Sequence, residues 1–497
     1  MDFIQNFVPF SIILSLAAGV ISSAVPGKAA RRLSVILISV VSIMSACVLA
    51  YTIHIQSSFI YVMGRFPAPW GNELRAGMLE GLLACFFSII MLLSIVGGLR
   101  TLGMEISEER TNLYFVMIDL MMASLLALVY TNDLFTAYVF VEINTMAACA
   151  LIMVRNFGHT IVAATKYMIM SLLGSGLLLL GISMLYGITG HLLMSNLRVS
   201  IAYINTAQQY RVPLTVCSGL IVVGLAIKSS LYPFHSWLPD AYSYSTPSSS
   251  AILSSLVSKG YIFLCIKIIY RVFGTSVIAG HKETNVLFTL GVIGMVMGSL
   301  SAIRQHDIRR MIAYSSIAQI GYIYMGMGIG NIIGMKAAVF HIISHAASKS
   351  MLFIAAQGLS EVSEDRKDFT DLKGSGYRNV VAGVAFSVGA FSMVGIPLFA
   401  GFTSKVLFAQ AALSSSDTTM WIAMIALAIS TILNAIYFLR AVISIYTPRN
   451  EHMIDKNYRP AVSMNGALMV FVILNVFLGT FSEPLKRIIE HGIAMFG

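Results

Sequence analysis

The chain has 497 residues, of which 57% are hydrophobic and only 11% charged, with a mean hydropathy of +0.82. Soluble domains average about 25% charged residues, so this sequence cannot clothe a water-facing surface and reads as a polytopic membrane protein. The formal net charge of +10 then reports membrane topology and not a nucleic-acid partner.

Apolar runs of about 20 residues, the length a bilayer requires, begin near Asn6, Leu33, Ala76, Leu113, Asp133, Val162, Pro213, Ala251, Val286, Met311, Ile332, Val380, Thr418 and Ser463. Fourteen such runs leave connections of about a dozen residues, too short for an extramembrane catalytic domain. The N-terminal MDFIQNFVPF lacks a basic segment and a small-residue cleavage site, so it reads as the first span. Placing the N-terminus outside puts most Lys and Arg on the cytoplasmic side, among them Lys28, Arg31, Arg32, Arg304, Arg309, Arg310, Arg366 and Lys367. An even number of spans returns the C-terminus outside as well. The five cysteines (Cys47, Cys85, Cys149, Cys217, Cys265) lie inside apolar runs without CxxC or a nearby His. Neither cluster, zinc nor disulfide spacing is present, so no cofactor is expected and any redox chemistry belongs to another subunit.

In the first half, Glu142 in YVFVEINTMAACALIM and Lys228 in AIKSSLYPFHSWLP are opposite charges deep in apolar runs, and a pair across two helices is expected. Burial disfavours both charged forms while each partner favours the other, so such a lysine can be switched by a small change of distance. A static pair that locks two helices is the alternative. Lys259 follows in ILSSLVSKGYIFL, and FHIISHAASKSMLF sets His341, His345 and Lys349 on one helical face. Histidines so placed can pass protons through water. The competing readings are core histidines bonded to Ser344 or Ser348, and a zinc site, which lacks a third ligand. Lys405 closes the set in GIPLFAGFTSK. A cation at mid-bilayer costs about 2.5–3.5 kcal/mol on insertion scales, so a mere scaffold would not keep four. Asp119 and Glu80 also lie in apolar runs and read equally as helix-packing polarity or as path elements.

Prolines fall beside two of these lysines: Pro233 after Lys228, and Pro397 before Lys405. Proline interrupts a helix, and interrupted backbone at membrane depth must be buried or line a polar cavity. Two such helices in separated parts of one chain are a signature of repeat-built transporters.

These motifs resemble the antiporter-like subunits shared by Mrp sodium/proton antiporters, respiratory complex I and membrane-bound hydrogenases. KSSLYPFHSWLPDA resembles that family's broken seventh helix, DIRRMIAYSSIAQIGY its ninth-to-tenth connection, HIISHAASKSMLF its eleventh helix and GIPLFAGFTSK its broken twelfth. FPAPWG, YVFVEI and SSLVSKGYIFL are most similar to the Mrp D subunit. The resemblance implies an input pair of Glu142 and Lys228, a central Lys259, a connecting His341, His345 and Lys349, and an exit Lys405. His235, Pro233, Pro397 and Ser254 stand beside them in supporting places. It also implies two inverted five-helix repeats, 113–275 and 276–447, flanked by a three-helix segment 1–112 and a C-terminal helix in 448–497. The chain departs from the pattern at Gly77, where relatives carry an acidic residue, at STPSSSA for the usual PTPVSA, and at Ser254, where some relatives have histidine. The implied function is proton conduction within a multisubunit complex of the cytoplasmic membrane. The expected partners are other membrane subunits, lipid and protons, with sodium if the complex is an exchanger. A redox-driven pump module is the rival, an inactive structural anchor a lesser one.

Overall fold

The computed structural model describes residues 3–66, 71–207, 210–274, 283–448 and 460–496. It is almost entirely helical. The first four long helices are α1 (Phe7–Ala24), α2 (Gly27–Ile55), α3 (Met78–Glu105) and α4 (Glu108–Tyr130). A short antiparallel hairpin, β1 (Phe59–Val62) with β2 (Glu73–Ala76), joins α2 to α3 and pairs Phe59 with Ala76. The centre of FPAPWG, residues 67–70, lies outside the described residues. Helices α5 (Leu134–Met153) and α6 (Gly158–Thr189) follow, then the amphipathic α7 (Met194–Thr206).

The next span is interrupted. Helix α8 (Arg211–Lys228) stops at its lysine, the chain passes Ser230 at φ 63° and a cis Tyr232–Pro233 bond, and α9 (Leu238–Tyr244) resumes. Helix α10 (Pro247–Phe273) begins at Thr246, whose hydroxyl accepts from the Ser249 amide. Two wider π turns, Leu253–Val257 and Ile268–Phe273, lie within it. Helices α11 (Glu283–Ile303), α12 (Ile308–Gly328) and α13 (Ile332–Glu361) come next. The second interruption falls between α14 (Val380–Val394) and α15 (Ala400–Leu413), with Gly395 at φ 89° and Leu398 at φ 80° around Pro397. Helices α16 (Asp417–Tyr446) and α17 (Val462–Thr480) complete the spans, and amphipathic α18 (Ser482–Ala494) ends the described chain.

Among the described residues, twelve helices are long and apolar enough to cross a bilayer unaided. Adding α12 and the broken pair α14/α15 gives the fourteen spans expected from the sequence, and α9 is the second half of the span that α8 begins. Helix α13 is buried along its whole apolar window and α10 nearly so, whereas α6, α16 and α17 have less than half of theirs buried. The bundle is therefore built around α10 and α13, the helices that carry Lys259, His341, His345 and Lys349.

Candidate proton pathway

Helix α5 starts at Asp133, whose carboxylate accepts from the Thr136 amide at 2.7 Å, and this cap sets which face Glu142 presents. Its Oε1 lies 3.4 Å from the Lys228 ammonium, which also donates to Thr145 Oγ1 at 2.7 Å. Ser175 of α6 donates to the same carboxylate. Lys228 is wholly buried, but the Glu142 side chain keeps 24% of its surface exposed on the flank of the bundle. Close backbone approach makes the pair possible: a Cβ on Gly174 would stand 2.8 Å from the Gly224 carbonyl and 3.1 Å from Lys228 Cγ. Lys228 ends its half-helix, where the unpaired carbonyls favour a cation.

Beyond this pair, Lys228 Nζ lies 5.6 Å from the Tyr261 ring, and Tyr261 donates to Asn144 at 3.0 Å. Two residues earlier on α10, Lys259 is fully buried and donates to the Ser254 carbonyl at 2.5 Å. That carbonyl belongs to the first π turn, where the helical ladder is loosened, so the wide turn gives the lysine an acceptor. Ser254 Oγ in turn meets Ser316 of α12 at 3.1 Å.

On α13, His341 Nδ1 is 2.9 Å from Ser404 Oγ and its ring stacks on Tyr322 at 5.7 Å. His345 follows at 5.8 Å between ring centres. Neither histidine bonds Ser344 or Ser348, contrary to the simplest packing expectation. Both nitrogens of His345, Nε2 of His341, Ser344 Oγ and Gln319 Nε2 are buried with no partner among the described residues. Lys349 donates to the Ile312 carbonyl at 2.9 Å and to Ser315. Lys259, Lys349 and Lys405 all lie within electrostatic range of His341.

Lys405 donates to the Val394 carbonyl at 2.7 Å and to Thr431 at 3.0 Å, and it sits 5.6 Å from the Tyr322 ring. Val394 is the last residue of α14, so the interruption at Pro397 frees the carbonyl that holds this lysine. Lys405 is thus the second lysine of the row set at the end of a broken half-helix. Pro233 and Pro397 are exposed, while the residues on either side of them are mostly half-buried. His235 stacks on Tyr232 and meets the Pro233 carbonyl at 3.2 Å, so it stays in the α8–α9 connection and outside the buried row.

The sequence reading missed several buried cations. Arg309, expected among the cytoplasmic loop cations, is fully buried and donates to the Ser245 carbonyl at 2.6 Å and to Ser250 Oγ at 2.7 Å. It thereby ties α12 to the serine-rich turn before α10. Lys267 donates to the Val129 and Thr131 carbonyls at 3.0 and 2.7 Å. Arg271 pairs with Glu80 and lies over Phe496 at 4.2 Å. Glu80 also accepts from the Gly77 amide at 3.0 Å, so it caps α3 and anchors α10. Thr145 was recoverable from the sequence, because it stands three residues after Glu142 on the same helical face. The hydroxyls of Ser404 and Ser315 carried no such signal.

An all-helical membrane bundle with a lysine-and-histidine row crossing it is the class that fold and site define. The profile of the NADH:quinone oxidoreductase/Mrp antiporter transmembrane family matches residues 131–431, and the chain belongs to that family. It is 33% identical over 469 residues to "NADH-quinone oxidoreductase subunit N" of Desulforudis audaxviator, covering 90% of each chain. It is 28% identical over 466 residues to "Putative antiporter subunit mnhD2" of Staphylococcus epidermidis, covering 93% of this chain and 90% of that one. Among solved structures, a chain of the membrane-bound sulfane sulfur reductase, an archaeal respiratory membrane complex, superposes with TM-score 0.88 at 23% identity, over 100% of this chain and 98% of the other. A chain of the Mrp complex from Dietzia sp. gives 0.86 at 22%, over 99% and 97%. Respiratory complex I from Thermus thermophilus gives 0.73 at 23%, over 98% and 100%.

Proposed function

We propose that this chain is the proton-conducting subunit of a multisubunit membrane complex and that the complex exchanges sodium for protons in the Mrp manner. One observation carries the reading. Lys259, Lys349 and Lys405 are held by carbonyls and hydroxyls, and among the described residues no carboxylate lies in hydrogen-bond reach of them and His345 between them has no partner at either nitrogen. Carbonyl acceptors serve a neutral amine as well as an ammonium, so these lysines can release and regain a proton without losing their bonds. Buried polar groups lacking protein partners are commonly served by ordered water, which is the medium a proton needs between them. Glu142 and Lys228 begin the row, Lys259 is its centre, His341, His345 and Lys349 connect, and Lys405 ends it. His235, Pro233, Pro397 and Ser254 shape or loosen the backbone beside it. The division into repeats 113–275 and 276–447 is part of the same proposal, as is a cytoplasmic-membrane location with both termini outside.

The S. epidermidis relative supports exchange by its name, and the D. audaxviator relative supports a second reading, a pump module driven by a redox arm. Purified complex in sealed vesicles separates them. A sodium gradient that moves protons with no electron donor selects exchange; proton movement that requires an electron donor selects the pump. If Lys259→Met leaves full proton movement in an assembled complex under either drive, proton conduction through this chain fails.

A further inference from the structure

A second polar constellation stands apart from the lysine row, where α1, α2 and α4 meet. Asp119 is fully buried. Its Oδ2 accepts from Ser22 at 3.1 Å and from Ser34 at 2.8 Å, while Oδ1 has no partner among the described residues. No charged side chain among the described residues acts on it. Small residues bring these helices close: a Cβ on Gly19 would touch Leu120 at 3.5 Å, and one on Gly27 would lie 2.7 Å from Thr111 Cβ. Two helical faces lead outward from the carboxylate. On α4, Glu108, Asn112 and Asp119 share one face; on α2, Gly27, Arg31 and Ser34 share another. Both faces end in a cavity of about 520 Å³ lined by Lys28, Arg31, Glu108, Glu109, Thr111 and Asn112. Asn112 stands seven residues before Asp119, about 10 Å of helix.

We propose that Asp119, Ser22 and Ser34 form a sodium site reached from this cavity. A lone buried carboxylate is costly unless something neutralises it, and one monovalent cation does so completely. The donor set is oxygen only, as hard cations prefer: two carboxylate oxygens and two hydroxyls, each of which can turn a lone pair to the ion in place of its proton to Oδ2. The mouth sets Glu108 and Glu109 against Lys28 and Arg31, so its formal charge is balanced and the carboxylates give an entering cation a first oxygen contact. The proposal leans on the exchanger reading only for the choice of sodium.

The test is binding to the full-length chain in detergent, which does not depend on transport. Its thermal unfolding is compared in sodium, potassium and choline chloride at equal ionic strength, with retention of radioactive sodium measured alongside. The expected result is a midpoint raised by about 2 °C or more in sodium alone and one sodium retained per chain. Asp119→Asn should remove both, Ser34→Ala should weaken both, and Lys259→Met should leave both intact. The proposal is overturned if wild type shows no difference between sodium and choline, meaning that a proton neutralises Asp119 and the cluster only joins helices. It is equally overturned if Asp119→Asn binds sodium as wild type does. Sodium binding with unchanged proton movement in Lys259→Met would fail the relay and leave this site standing.

Discussion

Among the described residues Lys259 and Lys405 bond only to neutral oxygens, so the relay predicts that arginine cannot replace either. A guanidinium stays protonated in proteins, whereas a buried amine need not. Lys259→Arg and Lys405→Arg should each lower proton movement by about tenfold or more, with assembly retained. Lys→Met at the same positions separates charge from size, and an active arginine variant would show that a fixed charge is enough. Glu142→Gln, which keeps shape and loses charge, should be nearly as severe as Glu142→Ala; wild-type transport in the assembled variant would count against a switchable pair. The lysines of the row were legible because a cation inside an apolar run has no bland explanation. Lys267, Arg271 and Arg309 were not, because they stand near the ends of their runs, where a long side chain reaching the interface is the ordinary expectation. Only the folded chain shows Arg309 turned inward to the Tyr242 and Ser245 carbonyls and the Ser250 hydroxyl.

The interrupted helices make a prediction at their own scale. Gly395 adopts φ 89°, and a Cβ there would stand 2.7 Å from Lys405 Cδ. Gly395→Ala should therefore displace the lysine from the Val394 carbonyl as well as strain the turn, at a backbone cost of about 1–2 kcal/mol. The expected outcome is an assembled complex with impaired proton movement, checked against Gly466→Ala, where a Cβ meets nothing within 4 Å. Normal transport by Gly395→Ala would mean that the position of Lys405 does not matter. Proline placement exposed both interruptions in advance. The π turns of α10 had no such marker: the run from Leu253 to Val257 reads as ordinary helix, and the loosened ladder appears only once Lys259 is seen on the Ser254 carbonyl. The amphipathic α7 and α18 escaped notice because the search was for apolar runs.

Across the whole molecule, the fourteen spans were readable because bilayer thickness fixes how long an apolar run must be. The expected starts at Ile332 and Val380 coincide with those of α13 and α14, whereas α2 begins at Gly27, six residues before Leu33, because its first turns carry Lys28, Arg31 and Arg32. Helix α18 lies over the end of the bundle through contacts no sequence pattern announced. Arg75 donates to the Met495 carbonyl at 2.7 Å, Arg198 to Phe496 at 3.1 Å, and Lys336 of α13 pairs with Glu490 at 2.6 Å. The hydrogen bond and charge of Lys336 hold the Glu490 carboxyl below the usual range. Glu142, by contrast, keeps an open side on the flank, so the row begins at a surface that a neighbouring subunit can cover. The isolated chain in liposomes is therefore expected to show no sodium-dependent proton flux; robust flux would place the whole coupling within these 497 residues.

The polar groups pass from α5 through α8, α10 and α13 to α15 instead of following a single helix from end to end. Membrane voltage acts across the bilayer thickness, about 2.3 kcal/mol per unit charge for each 100 mV traversed. On the proposed relay, a proton handed sideways from helix to helix would cross little of that drop, so its steps along the row would be nearly electrically silent. Voltage would then act on the steps by which protons enter and leave the row, and charge-movement recordings should assign nearly all the sensed displacement to those steps.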